Sequence, residues 1–224
     1  MKVCTDAVLF GAMAPVNTGA RVLDVGAGTG VLSLMAAQLG AAQVTAVELT
    51  LQAYEEAQLN FDNSPWADHL VVVHQDIQSF ACSDNGQYDL IICNPPFFKN
   101  HSKTADSLRK IARHNDELSF TDLIKSAEVV LSGEGLFYVL LPTHAIEKFA
   151  EAALLSGFYV NYQTDFRGYV HNEAKVSALT FSRVEVIFTR TLLTIYESHR
   201  VYSQDSERYL SPFLLRFAIA NKDE

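Results

Sequence analysis

Asn94, Pro95, Pro96 and Phe97 stand in a row directly after the apolar run 88–93, and together they suit an acceptor site for an amine. Proline fixes φ, restricts the residue before it and has no N–H, so the tetrapeptide is stiff and poor in donors. The Asn94 side-chain oxygen and the Pro95 carbonyl remain as two hydrogen-bond acceptors for one NH2 group. An aromatic amine is a weak nucleophile because its lone pair is delocalised into the ring. Two acceptors on its protons favour the pyramidal form that attacks an electrophile. Phe97 offers a ring on which an aromatic substrate can stack, and Phe98 is either a second such surface or a core anchor. A rigid turn that merely ends a strand would read the same way.

A second constellation lies upstream. The stretch Asp24-Val25-Gly26-Ala27-Gly28-Thr29-Gly30 follows an apolar run, and its glycines allow a tight turn whose backbone can approach a nucleotide-like ligand. A dinucleotide fingerprint would place its third small residue at position 31, which is Val31, whereas the glycines fall at 26, 28 and 30; that spacing disfavours a dehydrogenase. Glu48, followed by Leu49, closes the next apolar run about 20 residues beyond the loop, where a carboxylate can accept hydrogen bonds from both ribose hydroxyls. Asp76 closes a third run and, with Ile77, can meet the exocyclic amine and one face of an adenine ring. Cys93 adjoins Asn94, but no His or carboxylate is placed to activate it, and a buried strand cysteine is the reading preferred.

These residues need strands that end together. Residues 21–25, 43–48, 70–75, 88–93 and 136–141 are nearly continuously apolar, as strands covered on both faces are. Helical patterns at 31–39, 51–60, 120–131 and 143–155 alternate with them, which predicts a doubly wound, mostly parallel α/β sheet. After Gly157 two long β-rich segments, 158–166 and 176–190, joined by the polar stretch 167–175, predict an antiparallel strand pair. Residues 192–196 suit a further strand, and 207–217 a short amphipathic helix or a turn.

Composition narrows the class. With 224 residues, 49% of them hydrophobic, and no low-complexity divider, one domain over residues 1–224 is expected. No apolar segment approaches the roughly 18 to 20 residues that span a bilayer, and the N-terminus shows no secretory pattern, so a cytoplasmic protein is expected. The 3 cysteines form no C-x-x-C pair and the 7 histidines no ligand spacing, so no metal site is proposed. A net charge of −9 argues against a protein coated in nucleic acid but not against a local basic patch. Such a patch follows the tetrapeptide: Lys99, Lys103, Arg109, Lys110 and Arg113 against the single acid Asp106. It suits a phosphate backbone, and equally an ordinary solvated loop.

The stretch 23–30, with Glu48, Asp76 and the Asn-Pro-Pro-Phe run, resembles the class I S-adenosylmethionine-dependent methyltransferases. That resemblance implies a Rossmann-like fold with a seven-stranded, mostly parallel sheet and S-adenosyl-L-methionine as cofactor. It implies that Asp24, Gly26, Gly28 and Gly30 hold the methionine part, that Glu48 and Leu49 face the ribose, that Asp76 and Ile77 face the adenine, and that Asn94 lies beside both cofactor and substrate. The opening Lys2-Val3-Cys4-Thr5-Asp6 resembles the family segment that closes over the methionyl end, which brings in Thr5 and Asp6. Direct transfer to an exocyclic amine, with Asn94, Pro95, Pro96 and Phe97 as catalytic residues, follows from the same likeness.

Across nearly the whole chain, through Arg113-His114 and the tail 209–217, the sequence resembles the bacterial tRNA1(Val) (adenine-N6)-methyltransferases. That implies N6-methylation of adenine 37 in the tRNA anticodon stem-loop, with Phe98, Lys99, Lys103, Arg109, Lys110 and Arg113 on the RNA. Family members carry residues ahead of the Met-Lys-Val segment, so a shortened N-terminus is expected here, and Cys4 replaces a small residue, usually glycine. Guanine-N2 methylation of ribosomal RNA shares this type of site. Protein glutamine methylation is disfavoured, because the residue after Pro96 is Phe and not Tyr. A non-catalytic RNA-binding module is the reading from another class.

Overall fold

The computed structural model describes residues 4–83, 86–95 and 119–218. Its centre is a parallel array: β1 (Arg21–Val25), β2 (Gln43–Glu48), β3 (Leu70–His74), β4 (Tyr88–Cys93) and β5 (Leu131–Pro142). These continue into β7 (Val176–Ser182), antiparallel to β5, then β6 (Tyr159–Arg167), and β8 (Thr189–Thr194), which runs parallel to β6. The order β3-β2-β1-β4-β5-β7-β6-β8 has eight strands, one more than the expected seven. A separate pair, β9 (Tyr196–Ser198) and β10 (Val201–Tyr202), forms a hairpin turning at Arg200, whose φ is 61°.

Both sheet faces are covered, which is why the central strands lack polar alternation. On one face Val22, Val44, Leu90 and Ile92 pack with helices α1 (Thr5–Ala12), α2 (Val31–Gln38) and α3 (Leu51–Asp62). On the other, Leu23, Val47, Ile91 and Val139 pack with α4 (Ile77–Ser83), α5 (Phe120–Val130) and α6 (Ile146–Leu155). Ser119 caps α5 by accepting a hydrogen bond from the Asp122 N–H at 3.1 Å. Gly157, at φ 76°, supplies the left-handed residue that ends α6 and turns the chain into β6. Two short helices, α7 (Gln204–Leu210) and α8 (Leu215–Ala218), follow the hairpin and overlap the segment 207–217 where a helix or turn was expected.

Three differences from the sequence reading have identifiable physical causes. The strand expected over 176–190 stops at Ser182, and Val184, Val186, Ile187 and Phe188 lie exposed. Alternating apolar residues with no strand to pair with make a connector, and pairing resumes only at β8. α1 was not foreseen because it is short and its burial rests on a distant ring, Tyr138, against which Phe10 stacks at 4.2 Å. α4 was not foreseen because its signal is a single cap, Asp76, ahead of only seven residues.

Candidate active site

The chain leaves β1 for β2 and β3 on one side, then returns to lay β4 and β5 on the other. Open α/β sheets bind ligands outside the carboxyl ends of their strands at such a switch point. Val25 pairs with Val47 and with Cys93, so Gly26, Glu48 and Asn94 leave adjacent strands at one level. Glu48 pairs in turn with His74, which sets Asp76 further along the same edge.

Gly26, Gly28 and Gly30 have φ of 71°, 58° and 81°, the left-handed region that an L side chain resists. The three are not equivalent. A Cβ on Gly26 would meet nothing within 4 Å, so the backbone there borders open space, whereas one on Gly30 would run into the Phe61 ring. Gly26 thus leaves room for a ligand, and Gly30 lets the turn seat against α3.

Glu48 is 8% exposed and held from two sides. Its Oε2 accepts the Gly28 N–H at 2.9 Å, and its Oε1 accepts the Thr50 N–H and hydroxyl, each at 2.8 Å. Thr50 stands at the cap position of α3 yet makes no side-chain cap bond, because its hydroxyl goes to Glu48. A carboxylate oxygen accepts about two hydrogen bonds, so Oε2 retains one place while Oε1 is filled. One ribose hydroxyl fits directly, and accepting both requires the Thr50 hydroxyl to turn away. The His74 Nε2–H donates to the Leu49 carbonyl at 3.0 Å and its ring stacks on Tyr54, which fixes the segment after Glu48.

Asp24 is fully buried. Its Oδ2 accepts the Ser33 hydroxyl at 2.7 Å, while Oδ1 has no hydrogen-bond partner among the described residues. Burial pushes the carboxyl up to about 6, against the lowering effect of Ser33. An orphaned buried oxygen beside a glycine turn fits a donor-rich ligand group, such as the ammonium of a methionyl moiety. Asp76 is different: its Oδ1 accepts the Ser79 N–H at 2.8 Å, and this bond holds its carboxyl below the ordinary value. It caps α4 as well as standing at the edge. Leu49 is 47% exposed and can cover a base, while Ile77 is largely enclosed in the core.

Asn94 is half-buried and Pro95 buried, directly beyond β4. Cys93 is buried, and burial together with the Asp24 charge pushes its thiol well up, which leaves a poor nucleophile. Thr5 opens α1 with its hydroxyl 3.0 Å from that of Tyr196, and burial raises the Asp6 carboxyl. Thus Thr5, Asp6, Asp24, the three glycines, Glu48, Leu49, Asp76, Ile77, Asn94 and Pro95 all have described positions. Pro96, Phe97, Phe98, Lys99, Lys103, Arg109, Lys110 and Arg113 lie outside the described residues.

Sequence reasoning missed Thr50, Ser33, His74 and Tyr196. The first two had a usable signal: Thr50 precedes a helical pattern two residues after Glu48, and Ser33 sits one turn into the helix that follows the glycines. Tyr196 had none, being 191 residues from its partner.

A parallel sheet with a glycine turn after β1 and an acidic residue ending β2 is the architecture of class I methyltransferases. The fold resembles protein Atu636 of Agrobacterium tumefaciens, a predicted O-methyltransferase, with a TM-score of 0.69 at 16% identity over 91% of this chain and 94% of that one. It also resembles the glycopeptide N-methyltransferase MtfA in complex with S-adenosylmethionine, with a TM-score of 0.58 at 16% identity over 80% and 93%. The Methyltransferase small domain family model matches residues 5–155. The tRNA1(Val) (adenine(37)-N6)-methyltransferase of Flavobacterium psychrophilum is 38% identical over 218 residues, covering 96% of this chain and 93% of that protein. Those of Bacteroides fragilis, 43% identical over 73% and 69% of the two chains, and Yersinia pseudotuberculosis, 37% identical over 97% and 87%, bear the same name. On these matches the chain belongs to the tRNA1(Val) (adenine(37)-N6)-methyltransferase family, within the small-domain methyltransferases.

Proposed function

We propose that this chain, acting as a single cytoplasmic domain, methylates the exocyclic N6 of an adenine in tRNA: adenine 37 of tRNA1(Val), in the anticodon stem-loop. The observation that carries the reading is the adjacency of Asn94 to the Gly26 turn, on neighbouring strands about 4.8 Å apart at the switch point. The names of the relatives supply the choice of adenine and of tRNA. Among the described residues no helix is long and apolar enough to cross a membrane.

S-adenosyl-L-methionine, when bound, supplies an electrophilic methyl on a sulfonium sulfur. The residues present fit it. Glu48 takes a ribose hydroxyl on Oε2, Leu49 covers the base with Asp76 and Ile77 beside it, and Asp24 with the amides of 26–30 receives the amino-acid end. Thr5 and Asp6 close that end from α1. The Asn94 and Pro95 carbonyl oxygens accept hydrogen bonds from the two amine N–H groups and hold the nitrogen lone pair toward the cofactor, while Pro96 stiffens the turn and Phe97 stacks the target base. Lys99, Lys103, Arg109, Lys110 and Arg113, with Phe98, bind the RNA. Positioning of this kind accounts for about 7 to 11 kcal/mol of a bimolecular barrier, so no covalent intermediate on the protein is needed.

The test is methyl transfer from labelled cofactor to total RNA, unmodified tRNA and ribosomal RNA, followed by nucleoside analysis. N6-methyladenosine in the tRNA arm is the expected product; N2-methylguanosine in the ribosomal arm would replace the reading. Asn94→Ala is expected to keep cofactor affinity and to lose transfer by at least about a hundredfold, the scale of removing one group that supports the transition state. Unchanged turnover in that variant would remove Asn94 from the mechanism.

A further inference from the structure

The carboxyl edge of the sheet does not end at Asn94. Cys93 pairs with Val139, so Leu140 lies level with Asn94 and β5 runs on to Pro142. Two residues along the strand and one strand across put Pro142 about 8 Å from Asn94, backbone to backbone. There the connection from β6 to β7 folds over the end of β5 and leaves a cleft of about 590 Å3 between Pro142, Thr143 and His144 on one side and His171, Asn172 and Lys175 on the other.

The cleft is built rather than incidental. The Thr143 N–H donates to the Lys175 carbonyl at 3.0 Å, and the Lys175 N–H to the Phe166 carbonyl at 3.3 Å. The Asn172 Oδ1 accepts the Tyr169 N–H at 2.9 Å, closing the loop on itself. Behind His171 stands a column of rings. His171 lies on Tyr169 with centroids 5.6 Å apart and planes 4° apart; Tyr169 meets Tyr196 at 5.6 Å; and Tyr196 lies on Tyr202 at 5.2 Å. His171 is the exposed end of the column, and among the described residues no ring covers its other face. His144, Asn172 and Lys175 are exposed around it, with Glu173 as the one acid in the lining.

We propose that this cleft receives a nucleotide of the RNA strand adjacent to the target base, stacking that nucleotide's base on the free face of His171, with Lys175 toward its phosphate and Asn172 or His144 at the base edge. The proposal rests on the reading of tRNA as substrate and adds a subsite to it. A flat exposed ring supported from behind, beside a cation and amide groups, matches a planar heteroaromatic joined to a phosphate. A lipid would need a mostly apolar lining, whereas most of the side chains around this cleft are polar or charged. The column also passes through Tyr196, whose hydroxyl meets that of Thr5, so the cleft and the N-terminal helix share one support.

The experiment compares wild type, His171→Ala, His171→Phe and Lys175→Ala in steady-state methylation and equilibrium binding of one unmodified tRNA transcript, with cofactor affinity measured in parallel. Both positions changed, His171 and Lys175, are exposed, so the fold should survive. His171→Ala is expected to raise KM and weaken RNA binding about 5- to 100-fold while kcat and cofactor affinity stay put. His171→Phe, which keeps a flat ring, restores binding, and Lys175→Ala lowers the salt dependence by about one phosphate contact. Wild-type KM and RNA affinity in His171→Ala would overturn the cleft while leaving the tRNA reading intact. Failure of the wild-type protein to bind or methylate any tRNA would overturn both. Unchanged RNA binding with altered self-association would mark the cleft as a protein contact and overturn it as well.

Discussion

Asp24 is the residue where stability and function pull apart. Its carboxyl has no access to solvent, one oxygen bonded to Ser33 and the other unpartnered among the described residues, and burial lifts it from the ordinary 3.8 to about 6. Between about pH 4 and pH 6 the folded chain therefore keeps a proton that the unfolded chain has released. Stability from this group is full below the lower value and is lost as pH rises through the upper one, a loss of about 3 kcal/mol by neutral pH. Asp24→Asn keeps the acceptor for Ser33 and removes the buried charge. Denaturant melts of the cofactor-free protein at pH 4, 5, 6 and 7 should show the wild type losing stability relative to the variant across that range, with the variant the more stable at pH 7. Parallel curves for the two proteins would show that Asp24 does not carry the slope. The same variant should bind S-adenosylmethionine less well, because the charge that destabilises the empty site is the one a ligand ammonium would meet.

At the scale of the element, the turn joining β1 to α2 separates two duties of glycine. Gly26 and Gly30 both take left-handed φ, which costs an alanine about 1 to 2 kcal/mol. Only Gly30 also faces a fixed ring, Phe61, which is 1% exposed and has little room to move. Gly30→Ala is expected to lower unfolding free energy by about 2 to 4 kcal/mol, strain and overpacking together. Gly26→Ala should lose only the backbone share yet place a methyl in the space left for cofactor, so urea titration and cofactor binding should rank the two variants in opposite order. Equal destabilisation with equal affinity would mean the two glycines do one job. Much of this turn was legible beforehand, because positive φ and close approach select glycine at spacings a sequence displays. The central strands were legible for a similar reason: burial on both faces writes a continuous apolar run. Residues 184–188 misled because apolar composition does not say whether a neighbouring strand exists. α1 was invisible because its partner, Tyr138, lies far away in sequence and contacts at that range leave no local periodicity, and the β9–β10 hairpin because strands of 3 and 2 residues are too short to show a pattern.

For the molecule as a whole, a net charge of −9 sets a polyanion against a polyanion, so any RNA affinity has to come from a local concentration of cations. Lys99, Lys103, Arg109, Lys110 and Arg113 supply the densest such run, directly after the residues assigned to the amine. The run itself is visible in the sequence alone, whereas the ring column behind His171 emerges only when the β6–β7 connection folds against the β9–β10 hairpin. The two contributions differ in how salt affects them. Stacking is nearly indifferent to ionic strength, while each phosphate neutralised on a single strand contributes about 0.7 to the slope of log affinity against log salt. Replacing Lys99, Lys103 and Arg109 together by glutamine should therefore flatten that slope by about 2 and weaken tRNA binding most at low salt, with S-adenosylmethionine affinity unchanged. Titrations of wild type and triple variant from about 50 to 200 mM salt, the range over which phosphate contacts respond most plainly, measure it. Superimposable curves would move the electrostatic contact off this segment, and a parallel loss at every salt concentration would mean that the three side chains contribute packing or hydrogen bonds rather than charge.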